Sequence, residues 1–341
     1  MHPARPQCLQ CARFLTAAAP GLLWALIGWL VSSGARAEEL GLLAGRAAES
    51  GDSFSTYAWQ LEYRQKLNWD WLAASFSYLN EGHQTDHHRD GGAVQLWLVS
   101  PQWRERWSLA FGAGPYFYAD TQFWPAPPWF RDYHGLGELY TLSLTYSMGE
   151  RWYARLNLND VHTQGDIDTH SVLIGIGYRL DELLRRSATR PQAQEEGGVN
   201  EAGVFAGETV INSDLSGRSV TFGAEYRRRI AWYVSGSFSW LSEDDGLDSR
   251  HNGLLGELWL SRHVFDPRFA LGVGAGPYAS LQEHRTDDGR EASTLSGIVS
   301  MTASWQLTHS LVARATWHRA LTNDDQDRDI IIAGLAWQWG E

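Results

Sequence analysis

The chain has 341 residues, with 40 Asp and Glu against 28 Lys and Arg for a formal charge of −12, and it carries 18 Trp and 13 Tyr. That acidic balance disfavours a nucleic-acid partner, whose phosphates select basic surfaces. Both cysteines, Cys8 and Cys11, lie near the N-terminus, so everything after residue 37 can form neither a disulfide nor a thiolate site.

Residues 1–37 read as a signal peptide. Arg5 and Arg13 precede an apolar run from Phe14 to Val31, and Ala35-Arg36-Ala37 offers a small-x-small cleavage site. Its removal leaves 25 basic against 40 acidic residues, a formal charge of −15. No later segment reaches the roughly 20 apolar residues of a membrane helix, so insertion into a bilayer would have to use strands.

Residues 38–180 form a first unit with eight strand-like runs, beginning near Leu40, Thr56, Trp71, Ala93, Trp107, Gly137, Trp152 and Ser171. In the second run Tyr57, Trp59, Leu61 and Tyr63 share one face, while Ala58, Gln60, Glu62 and Arg64 share the other. In the seventh, Trp152, Ala154, Leu156 and Leu158 oppose Tyr153, Arg155, Asn157 and Asn159. The short connection Gly149-Glu150 contrasts with the stretches Asn80 to Gly92 and Asp120 to Gly135, which read as long external loops. Trp69, Trp71, Trp103, Trp107 and Trp152 cluster at strand ends, as in an interfacial aromatic girdle.

Residues 181–201 read as a linker, polar and without alternation, carrying Pro191 and Gly197-Gly198. Residues 202–341 then repeat the first unit. Ser75-Phe76-Ser77-Tyr78-Leu79 returns as Ser237-Phe238-Ser239-Trp240-Leu241, and Gly112-Ala113-Gly114-Pro115-Tyr116 as Gly274-Ala275-Gly276-Pro277-Tyr278, both 162 residues on. Ala154-Arg155 returns as Ala313-Arg314 at 159. The expected fold is all-β: a transmembrane antiparallel up-and-down barrel in two tandem eight-stranded units, with one sixteen-stranded barrel as the alternative. The linker is longer than a turn needs, and each unit ends in its own strand, which favours two barrels.

Two polar sets stand out. Glu62, Arg64 and Arg155 correspond to Glu225, Arg227 and Arg314, and alternation points all six inward, where they can plug a narrow lumen as ion pairs. The second set lies in the predicted loops of unit 1: His83, His87, His88, His134, His162 and His170, among Glu81, Asp86, Asp90, Asp120 and Asp132. Glu81, His83, His88 and His134 are the candidates for acid-base chemistry, and His83, His87, His88 and Asp90 for a metal. Trp124, Pro125, Pro127, Pro128, Trp129 and Phe130 form an aromatic insert found only in unit 1, suited to docking a partner or covering the barrel mouth.

Eight strands with inward ion pairs make each unit resemble the small outer-membrane barrel superfamily, which includes OmpA-type and OmpX-type proteins and the lipid A deacylases. In the deacylases the resemblance implies a His-Ser pair one residue apart on a strand at the lipid face. This chain departs from that pattern: His309-Ser310 is adjacent, and His170-Ser171 sits at a loop edge. The reading is therefore a non-enzymatic protein of the bacterial outer membrane, without cofactor, acting in envelope structure or surface interaction through unit 1. Outer-membrane lipid, lipopolysaccharide and divalent cations at the external loops are the expected partners. A passive channel is the alternative, with Gly112, Gly114, Gly175 and Gly177 leaving room for water, and a lipid-modifying or metal-dependent surface enzyme comes third. Oligomeric state is left open.

Overall fold

The computed structural model describes residues 36–51, 54–67, 69–125, 130–163, 167–180, 198–212, 217–231, 234–244, 250–282, 294–322 and 327–340. Nearly all of the predicted signal peptide, most of the predicted linker and the Pro127, Pro128 and Trp129 part of the aromatic insert lie outside these residues.

In unit 1 the strands are β1 Arg36–Glu49, β2 Ser55–Lys66, β3 Leu72–His83, β4 His87–Val99, β5 Trp107–Phe123, β6 Phe130–Ser147, β7 Trp152–Thr163 and β8 Thr169–Arg179. In unit 2 they are β9 Asn200–Ile211, β10 Arg218–Ala231, β11 Val234–Asp244, β12 Arg250–His263, β13 Phe269–Ser280, β14 Leu295–Thr308, β15 Leu311–Leu321 and β16 Arg328–Trp339. Every neighbouring pair is antiparallel. β8 closes onto β1 with Leu42 opposite Ile176, and β16 closes onto β9 with Ala206 opposite Ala333. Two closed eight-stranded barrels result, which rules out the single sixteen-stranded alternative.

Period-2 alternation sorts the side chains. On β2, Gln60, Glu62 and Arg64 are buried in the lumen, and on β7 so are Tyr153, Arg155 and Asn157. The outer walls expose large apolar residues, among them Leu42, Leu96, Phe111 and Ile174 in unit 1 and Val204, Phe222, Phe238 and Leu335 in unit 2. Trp69, Trp71, Trp103, Trp152, Trp305, Trp337 and Trp339 stand exposed at the end that bears the short turns and the start of β1, called here the near end.

The two predicted long loops are mostly strand. β3 runs on to His83 and β4 starts at His87, leaving residues 84–86 as the connection, and β5 and β6 leave only residues 124–129. Polar composition mimicked a loop there because these strand ends have something polar to meet on both faces: lumen partners inside, and the second barrel outside. The linker is also shorter than read from sequence, since Asn200 and Glu201 already belong to β9.

The barrels touch at two levels. At the far end, Asp90 of β4 and Tyr78 of β3 point outward yet are only 4% and 6% exposed, because β15 covers them. Tyr78 packs edge-on against Trp317 with ring centroids 5.1 Å apart. At the near end Phe265 stacks on Trp152 at 6.2 Å and meets Tyr178 edge-on at 5.0 Å. Its φ of 63° is unusual for a bulky side chain, and it lies in a turn closed by the Val264 N–H donating to the Phe269 carbonyl at 2.9 Å.

Candidate functional site

The lumen near the start of each barrel is bolted by charge. Arg155 donates to Glu62 and to Glu39 at 2.5 Å each, and Arg64 meets Glu62 at 3.0 Å while its guanidinium lies 3.5 Å over the Trp97 ring. Unit 2 repeats this: Arg314 donates to Glu225 at 2.5 Å and to Glu201, Arg227 meets Glu225 at 3.0 Å, and Arg227 lies 4.1 Å over Trp259. Glu39 and Glu201 were not picked from sequence, although their 162-residue offset is that of the repeat. Trp97 and Trp259 fill the bore beside them, each donating its indole N–H to a serine, Ser75 or Ser237, at 2.8 Å.

The inward glycines do not make a water path. A Cβ on Gly112 would lie 2.7 Å from the Trp97 ring, and one on Gly177 would lie 2.0 Å from the Tyr153 ring. Glycine is needed at these positions to admit an aromatic plug, and the space is filled. In unit 2 a cavity of about 10 Å³ lies beside Glu225, Ser239 and His318, space for roughly one water.

A second lumen layer sits toward the far end. In unit 1 Arg89 donates to both Glu81 oxygens, at 3.1 and 2.7 Å, and Tyr116 donates to Glu81 at 2.8 Å; Thr169 also donates to Glu81. Unit 2 keeps Glu243 and Tyr278, bonded at 3.0 Å, but moves the guanidinium. Position 89 becomes His251 and position 169 becomes Arg328, which approaches Glu243 at 3.5 Å from the opposite wall.

The sequence candidates for chemistry are split by the barrel wall. Glu81 points into the lumen and is buried, as is His87, whose Nδ1 lies 2.9 Å from Asp120. His83 and His88 point outward and meet as tilted rings, centroids 4.4 Å apart, with His88 3.3 Å from Asp90. His134 belongs to the seam between barrels. The set Glu81, His83, His88 and His134 therefore does not converge; of His83, His87, His88 and Asp90, the outward His83, His88 and Asp90 lie together while His87 points into the lumen, because alternation puts adjacent residues on opposite faces. Among the described residues, no three or more His, Cys, Asp or Glu side chains are placed to hold a metal ion. The divalent-cation expectation therefore has no described site.

The seam is itself ionic. Arg319 on the outer face of β15, 3% exposed, lies 2.7 Å from Asp329 and 3.8 Å from both Asp90 and Asp327. His134 Nε2 is 2.8 Å from Asp327, whose backbone N–H donates to Asp132 at 3.0 Å. Of these groups Arg319, Asp90 and Asp327 are buried, Asp132 and Asp329 are partly exposed, and His134 is exposed.

The corresponding rim of unit 1 is open. His162 Nε2 lies 3.1 Å from Asp160 and its Nδ1 3.1 Å from Asp168, while His170 bridges Asp160 and Ser50. The Thr163 N–H, and after it the His162 ring, hold the Asp168 carboxyl below the usual carboxylate range.

No protein-family model matches the chain, and no curated protein matches it by sequence. Among solved structures it is similar to the N-terminal β-barrel domain of Pseudomonas aeruginosa OprF, at 11% identity over 42% of this chain and 96% of that one, with a TM-score of 0.33. It is also similar to Ail, the attachment invasion locus protein of Yersinia pestis, at 16% identity over 42% and 96%, TM-score 0.33. The Ralstonia pickettii toluene transporter TbuX aligns over 90% of both chains at 9% identity, TM-score 0.25.

Proposed function

We infer that the chain is an exported outer-membrane protein whose two barrels stand side by side in the bilayer with closed lumens, anchoring a working surface at the far end of unit 1. The observation that carries this is the inversion of polarity across each wall. Exposed Leu42, Leu96, Ile174, Val204 and Phe222 face outward, while buried arginine–glutamate pairs face inward. In water such walls would be an aggregation liability; in lipid they are the side that must be apolar. Lipid and lipopolysaccharide are the partners such walls accept, and the near-end tryptophans suit the headgroup boundary.

Narrow barrels filled by side chains do not conduct, and the ion pairs and aromatic plugs leave a pore nothing to run through. The test is conductance of refolded residues 38–341 in a planar bilayer, with vesicle flotation as the check that the protein has inserted. Inserted protein without steady conductance is expected; large steady openings would overturn the closed-lumen reading in favour of a passive channel.

A further inference from the structure

Closure of β8 onto β1 brings together, on the outer wall of unit 1, a serine, a histidine and a carboxylate from three places in the chain. Ser50 Oγ lies 2.7 Å from His170 Nε2, and His170 Nδ1 lies 2.8 Å from Asp160 Oδ1. The nitrogens are in the productive order. A proton on Nδ1, facing the carboxylate, leaves the Nε2 lone pair toward the serine hydroxyl, which is the tautomer a general base requires.

Asp160 Oδ1 is shielded from solvent and has no aligned hydrogen bond, so the Nδ1 contact is a close ion-pair approach. Such contacts commonly tighten only once substrate is bound. The other Asp160 oxygen is occupied by His162 at 3.1 Å. Ser50 is pinned as well, its N–H donating to the Asp168 carbonyl at 2.8 Å. Gly51 follows with φ of 92° in open space, so the hydroxyl is approachable from outside. His170 and Asp160 are 56% and 41% exposed.

The position selects the substrate. Below Ser50 and His170, on the same outward face, run Leu42, Val172, Ile174 and Ile176, all more than half exposed. A molecule reaching Ser50 along this wall would lay an acyl chain on that stripe and present its carbonyl at the polar rim, which is how an ester-linked lipid sits at the hydrocarbon boundary.

We propose that Ser50, His170 and Asp160 form a hydrolytic site for the acyl ester of an outer-leaflet lipid; this rests on the membrane reading above. Ser50 Oγ attacks the ester carbonyl carbon as His170 Nε2 takes the hydroxyl proton, and Asp160 stabilises the imidazolium. Collapse breaks the carbon–oxygen bond to the alcohol, which leaves with that proton, and the acyl group stays on Ser50. Water, deprotonated by His170, then attacks the acyl-serine; fatty acid departs and Ser50 recovers its proton. The balance is ester and water to acid and alcohol, with no co-reactant. Unit 2 has Asn212, Asp329 and Arg319 at the matching positions and carries no such site. Sequence alone does not point to this site, because it is assembled by barrel closure and contains no local motif.

The experiment uses refolded residues 38–341, wild type, S50A and H170N, in phosphatidylethanolamine vesicles and separately in lipopolysaccharide micelles, reading released fatty acid. A fluorophosphonate probe with peptide mapping reads the nucleophile, and vesicle flotation reads insertion. Expected is fatty-acid release from one of the two lipid sources, falling by about 10³-fold or more in S50A and H170N, with the probe on Ser50. Both variants should float like wild type. Release that persists in S50A but stops on adding a chelator would overturn the serine mechanism. A chain that floats yet neither labels nor hydrolyses either lipid overturns the assignment and leaves the membrane reading intact. A chain that does not float with the vesicles overturns the membrane reading and the lipid substrate with it.

Discussion

The far-end rims of the two units occupy the same place on the same fold and do opposite things. In unit 1 an exposed Ser50 bonds to His170, which approaches Asp160 closely; in unit 2 the matching Asn212 and Arg319 bond to Asp329, and Arg319 is buried against the other barrel. Three substitutions separate an open polar chain from a docking surface. The first barrel offers Asp90 to meet Arg319, and Asp132 and His134 to meet Asp327. Duplication supplied two copies of one rim, and the charge at position 160 or 319 decides whether it faces outward or faces its sister.

The sharpest way to break this comparison is to write the unit 2 residue into unit 1. H170D should lower lipid hydrolysis by about 10⁴-fold while leaving flotation and the denaturant midpoint unchanged; retained activity would remove the contrast. Next in size, R319A leaves Asp90, Asp327 and Asp329 buried without their shared cation, a loss of about 3–5 kcal/mol, visible as a lower urea midpoint of the refolded chain in detergent. The equivalent D160A in unit 1 should move that midpoint little, since its site is exposed and such pairs contribute about 1 kcal/mol or less.

The lumens give a finer comparison. R314M should cost about 3 kcal/mol or more by stranding Glu225 and Glu201, and R155M somewhat less. Glu39 keeps Arg179 at 3.3 Å, and position 179 corresponds to Gln338 in unit 2. Equal midpoints for the two variants would show that Arg179 contributes nothing. The smallest effect is expected from the double variant R89H/T169R, which rewrites the upper layer of unit 1 as that of unit 2. R89H alone leaves Glu81 with Tyr116 and Thr169 but without its cation, a loss of about 2 kcal/mol, and the double variant should recover to within about 1 kcal/mol of wild type.

Alternation made the walls legible: Tyr57 to Arg64 and Trp152 to Asn159 point as their sequence indicates, and the repeat paired Glu62, Arg64 and Arg155 with Glu225, Arg227 and Arg314. Glu201 was assigned to the linker because linkers and strand starts are both polar, although its offset from Glu39 marked it. The seam was not legible at all. Asp90 and Arg319 are charges on outward faces, and nothing local distinguishes a charge in a loop from a charge on a strand that another barrel covers. The Ser50 constellation was hidden for a related reason: its serine and histidine are 120 residues apart and meet only because the last strand of the unit pairs with the first.

The seam joins unlike faces, the β15 and β16 side of one barrel to the β3 and β4 side of the other. Contacts of that kind, repeated, either close into a ring or run on as an open filament. Here the next link is missing in both directions. At the far end, unit 1 offers Asp160 where an incoming row would need Arg319, and unit 2 offers Asn252 and Trp240 where it would need Asp90 and Tyr78. The two halves have thus diverged at the very residues that make this contact, and neither outer rim repeats it.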